Sequence, residues 1–578
     1  MPVWRVAGQR RNDVDSIPRR AVLRGGMVSA AAVGIKDVGP ALAADTAAYA
    51  GVITSVPDRG ALAAIDNAEP GRLVHLDEVG REGLFRCATS ARSTADLDPL
   101  QGLHVPAKRS GLAWVRVWDG THGRPEWFGA RVNDGLADCA NALEACHALC
   151  PVMQLGQADY FVRRTVRFSL SWRTVRGVGR YATNQGQGTR IILQQAAPGV
   201  RTDDVVLLGT ARRPTGDLVT EAHLSDLTLV RDAPAQPHAS GDLARYPAGL
   251  RCAYLSHCTV SGVASLESSV GFHIGGVVYT KIDDCFAQRT RAGTGTGVDL
   301  AAGYFLDGRT QFGFPGGNAS LYMDRCVAAE QHAHHVDPVG LLALGAFVDS
   351  FIDRFESARI DTGMAFRAAG ARSFAQTIDL HVRNPVLDGC GKFGLDLDLD
   401  ATASACVEIV DPYVTSAGAR GDRGILVRDG AGLVTIVGGQ VLGDFAGGSL
   451  FVSRTRGVRV QGLKIAQSVR PVVVVDASGL QLEPQISNYE KTASNPAMSA
   501  RNVSRSSLRP IIIGFGPPSF AAGIDLDVAC SHVQVDGSAI DPACLASGVA
   551  GKVRFAGADA RNAAPFTATG NVLAGVTG

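Results

Sequence analysis

A chain of 578 residues is too long for one ordinary core, which stops growing near about 250–300 residues, so it comprises several domains or an elongated repeat. Lys+Arg is 56 and Asp+Glu 55, a formal net charge of +1, which excludes a broad electrostatic attraction to nucleic acid or anionic lipid. Hydrophobic residues at 46% exclude disorder, and 68 glycines beside 6% aromatics point to an all-β chain dense in tight turns.

Residues 1–43 read as an export signal. Arg5, Arg10 and Arg11 lead into Pro18-Arg19-Arg20-Ala21-Val22-Leu23-Arg24, a weakly apolar run follows from Gly25 to Ile35, and Ala41-Leu42-Ala43 supplies a small-residue cleavage site. Arg19-Arg20 followed by Leu23 resembles the twin-arginine signal, which implies an exported protein, periplasmic or extracellular. No later stretch reaches about 18 consecutive apolar residues, so no membrane span is expected in the mature protein. Residues 44–115 are expected to form a small β-rich head, with strand-like Gly83-Leu84-Phe85 and Leu112 to Trp118. Cys139, Cys146 and Cys150 share one face of a predicted helix, where Asp138 can cap the N-terminus. Free Cys behaves as a small buried hydrophobe. No cysteine–histidine spacing suits zinc, and a Cys530–Cys544 pair stays open.

From residue 271 onward a short Gly-led strand recurs: Gly271-Phe272-His273-Ile274, Gly303-Tyr304-Phe305-Leu306, Gly363-Met364-Ala365-Phe366, Gly394-Leu395-Asp396-Leu397 and Gly424-Ile425-Leu426-Val427. Gly340-Leu341-Leu342 fills a gap, and Ser449-Leu450 and Val472-Val473 read as the last copies. A second strand follows each first one: Ile282-Asp283-Asp284-Cys285, Met323-Asp324-Arg325-Cys326, Ile352-Asp353-Arg354-Phe355 and Val382-Arg383-Asn384-Pro385, extended by Ile409 and Val460. One such unit cannot bury its apolar side alone, but stacked coils form a continuous core. This predicts a right-handed parallel β-helix over residues 116–490, with Cys285 above Cys326, and a separate β-rich C-terminal module over 491–578.

The start of the repeat has Trp127-Phe128-Gly129-Ala130, Asn133-Asp134-Gly135 and Ala137-Asp138, then Val175-Arg176-Gly177-Val178-Gly179 and Thr189-Arg190-Ile191. This resembles the N-terminal cap of the pectate-lyase-like superfamily, with Cys139 in place of a second acidic residue. The resemblance implies an all-β right-handed parallel β-helix with a capping helix and small β-rich terminal modules. It also implies a polysaccharide or oligosaccharide partner and, by likeness to tailspikes, a homotrimer. It does not choose the chemistry, because the superfamily hosts hydrolases, lyases, epimerases and tailspikes.

Hydrolysis of a glycan needs one protonated and one ionised carboxyl. Asp283, Asp324 and Asp353 fall at one register, Arg383 is next, and Glu356 follows at the bend. Carboxylates stacked on neighbouring coils are expected to push one pKa upward. Asp324, Asp353 and Glu356 are therefore the catalytic candidates, and they match by coil geometry the Asp and Glu of the tailspike endoglycosidases that the coils resemble. Arg325, Arg354, His381 and Arg383 are candidate substrate-binding residues, as are Phe312 and Phe314 in a long turn with Tyr322 nearby. The competing reading is that an Asp beside a turn caps backbone amides. Asp396, Asp398 and Asp400 alternate on one strand face and read as a solvated edge more than a Ca²⁺ site, and His332, His334 and His335 as a solvated loop. No cofactor is expected for a hydrolase. A lyase is the alternative, with Arg354, His381 and Arg383 and possible Ca²⁺; a non-catalytic carbohydrate-binding or envelope-structural β-helix is the third reading.

Overall fold

The computed structural model describes residues 53–90, 94–180, 188–194, 203–211, 218–232, 246–290, 300–309, 318–331, 337–367, 377–399, 404–417, 421–487, 495–515, 520–546, 552–556, 558–560, 570–574 and 576. The export-signal residues, Phe312, Phe314, the three loop histidines and Asp400 lie outside the described residues.

Strands Thr54–Val56, Leu73–Leu76, Gly83–Thr89, His104–Pro106 and Leu112–Arg116 form a five-stranded sheet of their own, closed over Val74, Leu76, Phe85 and the fully buried Trp114. Next comes the capping helix, Ala140–Leu149. Its Ala142, Leu143 and Cys146 join the main core, and Asp138 Oδ1 accepts the Ala140 N–H at 3.1 Å. Cys139 and Cys150, flanking the helix, are buried as well.

Among the described residues all further strand pairing is parallel except one short C-terminal contact, Arg554 with Asp559 and Phe555 with Ala558. Each coil contributes a strand to three successive sheets. The first sheet stacks Leu250, Phe272, Tyr304, Leu341, Met364 and Leu395 inward. Ile282, Met323, Ile352, Val382 and Ile409 do the same in the second, and Ala287, Ala328, Ser357, Leu387 and Val414 in the third. Strand alternation sends the intervening side chains outward.

The recurring glycines have a steric cause. A Cβ on Gly271, Gly303, Gly340, Gly363, Gly394 or Gly424 would meet the carbonyl oxygen of the next residue in the column at 2.5–2.7 Å. Backbone approach this close favours glycine; where the column carries Ser449, Pro471 and Ala497 instead, the coils must shift to make room. One register differs from the sequence reading: Leu450 pairs with Val472, so the last copy starts one residue earlier, at Pro471. A coil at Ile436-Val437-Gly438-Gly439 also lies between those of Ile409 and Val460; glycine replaces the polar corner residue that marked the others.

The C-terminal residues, expected to form a module apart from the helix, continue the stack. Val472 pairs with Met498, Met498 with Ile524 and Ile524 with Val553, and Ile486, Ile512 and Ile540 extend the third sheet. The repeat signature fades because the glycine column is interrupted after Gly424, where Ser449, Pro471 and Ala497 stand in its place before it returns at Gly523, while the inward ladder persists as other apolar residues. All twelve cysteines are free thiols, Cys530 and Cys544 included, and only Cys406 is exposed. Cys285 and Cys326 are buried neighbours; burial, reinforced by Cys326, pushes the Cys285 thiol well up. Among the described residues no helix is long and apolar enough to cross a membrane.

Candidate functional site

The outer face of the second sheet carries the predicted carboxylate row in the expected register: Asp283 pairs with Asp324, Asp324 with Asp353, and Asp353 with Arg383. Two-residue corners follow. Their first residues, Asp284, Arg325, Arg354 and Asn384, have φ of 49–50°, the left-handed region that makes a sharp turn. Each N–H donates to a carbonyl one coil on, as Arg325 does to Asp353 at 3.2 Å.

That geometry turns the interleaved arginines back toward the preceding carboxylates. Arg325 Nη2 donates to Asp283 Oδ1 and Oδ2 at 2.9 and 3.0 Å. Arg354 grips Asp324 with Nε at 2.9 Å and Nη2 at 2.5 Å. Stacking therefore does not raise the row's leading carboxyl: burial would raise Asp283, but hydrogen bonds from Arg325 and Lys281 outweigh it and hold the group below the usual carboxylate range. Among the described residues Asp353 accepts a 3.3 Å bond from Asn384 and lies 3.8 Å from Arg354. Glu356 sits past the corner, exposed at the start of Glu356–Ala358 on the third sheet.

Beside this row Tyr322, Phe351 and His381 stack ring on ring, with centroids 5.4 and 4.8 Å apart and planes within 3° and 12°. The inner ring faces are spent on one another. His381 is also flanked by carboxylates, with Nδ1 2.9 Å from Glu408 and Nε2 3.6 Å from Asp379. Arg383 is exposed at the fourth place of the carboxylate column.

The first sheet differs. From Asp283 to Gln440 every passage from second to third sheet takes two residues, whereas nine separate Gly308 from Asn318 and nine separate Arg367 from Thr377. The long connections attach at the edges of the first sheet, and many side chains on its outer face are buried. His273 and Asp307 are 1% and 0% exposed, 3.4 Å apart, and Arg309 holds Asp307 through Nε and Nη2, both at 2.8 Å.

Further along this face the alternation of Asp396 and Asp398 is as read from sequence, but Asp396 is not a solvated edge. Its side chain is fully buried and its Oδ2 accepts from Arg367 at 3.1 Å and Arg428 at 3.2 Å, while Oδ1 has no hydrogen-bond partner among the described residues. Arg428 Nη2 lies 3.2 Å from Asp398 as well, whose side chain is 33% exposed. Burial pushes the Asp398 carboxyl up, the charges of Asp396 and Asp429 add to this, and Arg428 opposes it. Asp429 follows Arg428 just past the first-sheet strand of the next coil, Gly421–Arg428. Arg454 Nη2 donates to it at 2.7 Å, and this hydrogen bond draws its carboxyl down. The two carboxyls, about equally exposed, are thus displaced in opposite directions. Sequence reasoning missed Asp429 because nothing in the local pattern ties it to Asp398; the link is the cross-coil register of Asp398 with Arg428. Among the described residues no group of His, Cys, Asp and Glu is arranged to hold a metal ion.

No family model matches the chain, and no curated protein does. Solved structures do. A double mutant of the tailspike protein of E. coli bacteriophage HK620, in complex with a pentasaccharide, is 11% identical with a TM-score of 0.56, over 78% of this chain and 81% of that one. A single mutant of the same tailspike, also with pentasaccharide, gives 10%, 0.56, 81% and 83%. The A-module of an Azotobacter vinelandii mannuronan C-5 epimerase is 15% identical over 75% of this chain and 98% of that one, with a TM-score of 0.40. At this identity the two tailspike likenesses speak for architecture alone, and the parallel ladders agree with them: the chain is a right-handed parallel β-helix.

Proposed function

We propose that the chain is an exported polysaccharide-degrading enzyme, a glycoside hydrolase whose acid–base chemistry lies on the outer face of the first sheet. What carries this is the arrangement of two carboxyls on adjacent coils: Asp398 is partly buried beside fully buried Asp396, while Asp429 is held by Arg454 at 2.7 Å, and these surroundings push the two carboxyls in opposite directions. Such a divergence assigns roles. In this reading Asp398 is the acid that delivers a proton to the leaving glycosidic oxygen as the C–O bond breaks, and Asp429 is the carboxylate that takes a proton from the attacking water. The similar tailspike fold solved with a pentasaccharide supports a glycan as substrate.

A second reading keeps hydrolysis on the second sheet at Asp353 and Glu356, the two carboxylates of the predicted set that no arginine grips in bidentate fashion. Asp324 then serves to anchor Arg354. The elimination reading has less support, since His381 has a carboxylate beside each ring nitrogen and Arg354 is spent on Asp324.

The test is digestion of a glycan panel by the purified protein, read as new reducing ends and, separately, as absorbance of unsaturated uronates. Asp398→Asn and Asp429→Asn should each lower turnover by about 10²–10⁴-fold, the usual worth of general acid–base catalysis. If both keep full activity while Asp353→Asn or Glu356→Gln loses it, the site belongs to the second sheet. Unsaturated products would establish a lyase. Binding without cleavage would establish a carbohydrate-binding protein.

A further inference from the structure

The outer face of the first sheet places a single guanidinium between two carboxylates. Arg428 Nη2 stands 3.2 Å from Asp396 Oδ2 and 3.2 Å from Asp398 Oδ2. Arg367 differs: its 3.1 Å contact is to Asp396. The strand pairing fixes the arrangement, because Arg367, Asp398 and Arg428 occupy one outward column on three successive coils. Arg428 is 28% exposed and Asp396 wholly buried, so the shared nitrogen sits at the boundary between the covered floor and the part of the face that solvent reaches. Asp429 is its immediate successor in the chain.

We propose that Arg428 is the positioning residue of this centre, a bridge that fixes the Asp398 carboxyl over buried Asp396 and governs which member of the group carries the proton. This rests on the reading of Asp398 as the acid. The charged groups acting on Asp398 are Asp396 on its own strand, Arg367 on the coil before, Arg428 and Asp429 on the coil after, and Arg454 one coil further. Of the cations, Arg428 touches the carboxyl. A cation in contact stabilises the ionised form. Removing it leaves Asp398 beside like charges in a partly buried setting, so the proton is held to higher pH.

The experiment uses the full chain and two readouts. One is the pH profile of kcat/KM on whichever glycan is cleaved. The other is infrared titration of the Asp398 carboxyl, isolated as a difference spectrum against Asp398→Asn, which needs no turnover. Arg428→Met should move the alkaline limb and the infrared midpoint upward by about one pH unit or more. Arg367→Met should move them less. Arg428→Lys restores the charge without the fork geometry; it should return the midpoint close to the wild-type value yet lower kcat by about 10–100-fold. An unshifted midpoint in Arg428→Met, or equal shifts for Arg428→Met and Arg367→Met, overturns the proposal. If Arg428→Met does not fold, Arg428→Lys decides: wild-type kcat with a wild-type midpoint overturns the bridge. Full activity in Asp398→Asn sinks the acid assignment instead, and the infrared titration still reports whether Arg428 governs that carboxyl.

Discussion

Replacing Gly303 by alanine tests the steric account of the repeat. The new Cβ would lie 2.5 Å from the Ala328 Cβ and 2.7 Å from the Gly340 carbonyl oxygen. Neither neighbour can rotate away: one is a methyl fixed to the third sheet and the other is backbone of the next coil. Overpacking of this kind costs about 1–3 kcal/mol. Alanine also narrows the unfolded ensemble, which returns about 0.4–1 kcal/mol, so a net loss of about 1–2 kcal/mol is expected. The matched control is Gly156→Ala, where the nearest atom to a Cβ is the Tyr160 hydroxyl at 3.7 Å. Chemical denaturation followed by circular dichroism should show Gly303→Ala less stable than wild type and Gly156→Ala neutral or slightly more stable. Adding Ala328→Gly to Gly303→Ala should recover part of the loss, since it removes one of the two collisions and leaves the carbonyl. Equal stability of Gly303→Ala and wild type would refute the argument that interstrand crowding selects these glycines.

Three further outcomes are expected. Asp307 is buried, which would raise its carboxyl, but Arg309 and His273 hold it at about 2; its contribution of about 2 kcal/mol is complete above the ordinary aspartate range near 4 and fades as pH falls toward 2, so Asp307→Asn should flatten the acid limb of a stability-against-pH curve. In the folded protein a maleimide should label Cys406 fast and the other eleven thiols slowly, because only Cys406 is exposed; rapid labelling of Cys285 or Cys326 in native buffer would contradict their place in the core. Replacing Arg19-Arg20 by Lys-Lys should leave precursor in the cytoplasm, scored by fractionation, and unchanged export would count against the twin-arginine reading.

The repeat was legible because its constraints are local and one-dimensional. Glycine marks the close approach, an apolar residue follows it, and a polar left-handed corner comes after the second strand, so even the register of Asp283, Asp324 and Asp353 could be read from spacing. The reading slipped where a marker was lost: at Pro471, where the glycine column is interrupted, at Gly438, where glycine stands for a polar corner residue, and beyond 490, where Gly523 alone carries the column on. The charged sites were harder. Spacing placed Arg325 and Arg354 next to the carboxylates but did not show that the corner conformation swings each guanidinium back one coil. Nor could it show that Asp396 is covered, since its burial comes from residues far away in sequence. Asp429 was invisible for the same reason.

The two-residue corner between the second and third sheets has a consequence for how such a chain can diversify. Its left-handed residue sends an N–H into the next coil, so adding or deleting a residue there would shift the facing of every side chain downstream in that coil. The borders of the first sheet tolerate connections as different as one residue, between Gly345 and Phe347, and twelve, between Arg289 and Ala302, with no change in strand pairing. Lineages can therefore exchange segments at those borders while the scaffold is inherited unaltered, and grafting a foreign recognition loop between Gly308 and Asn318 should leave the ladders on either side in register.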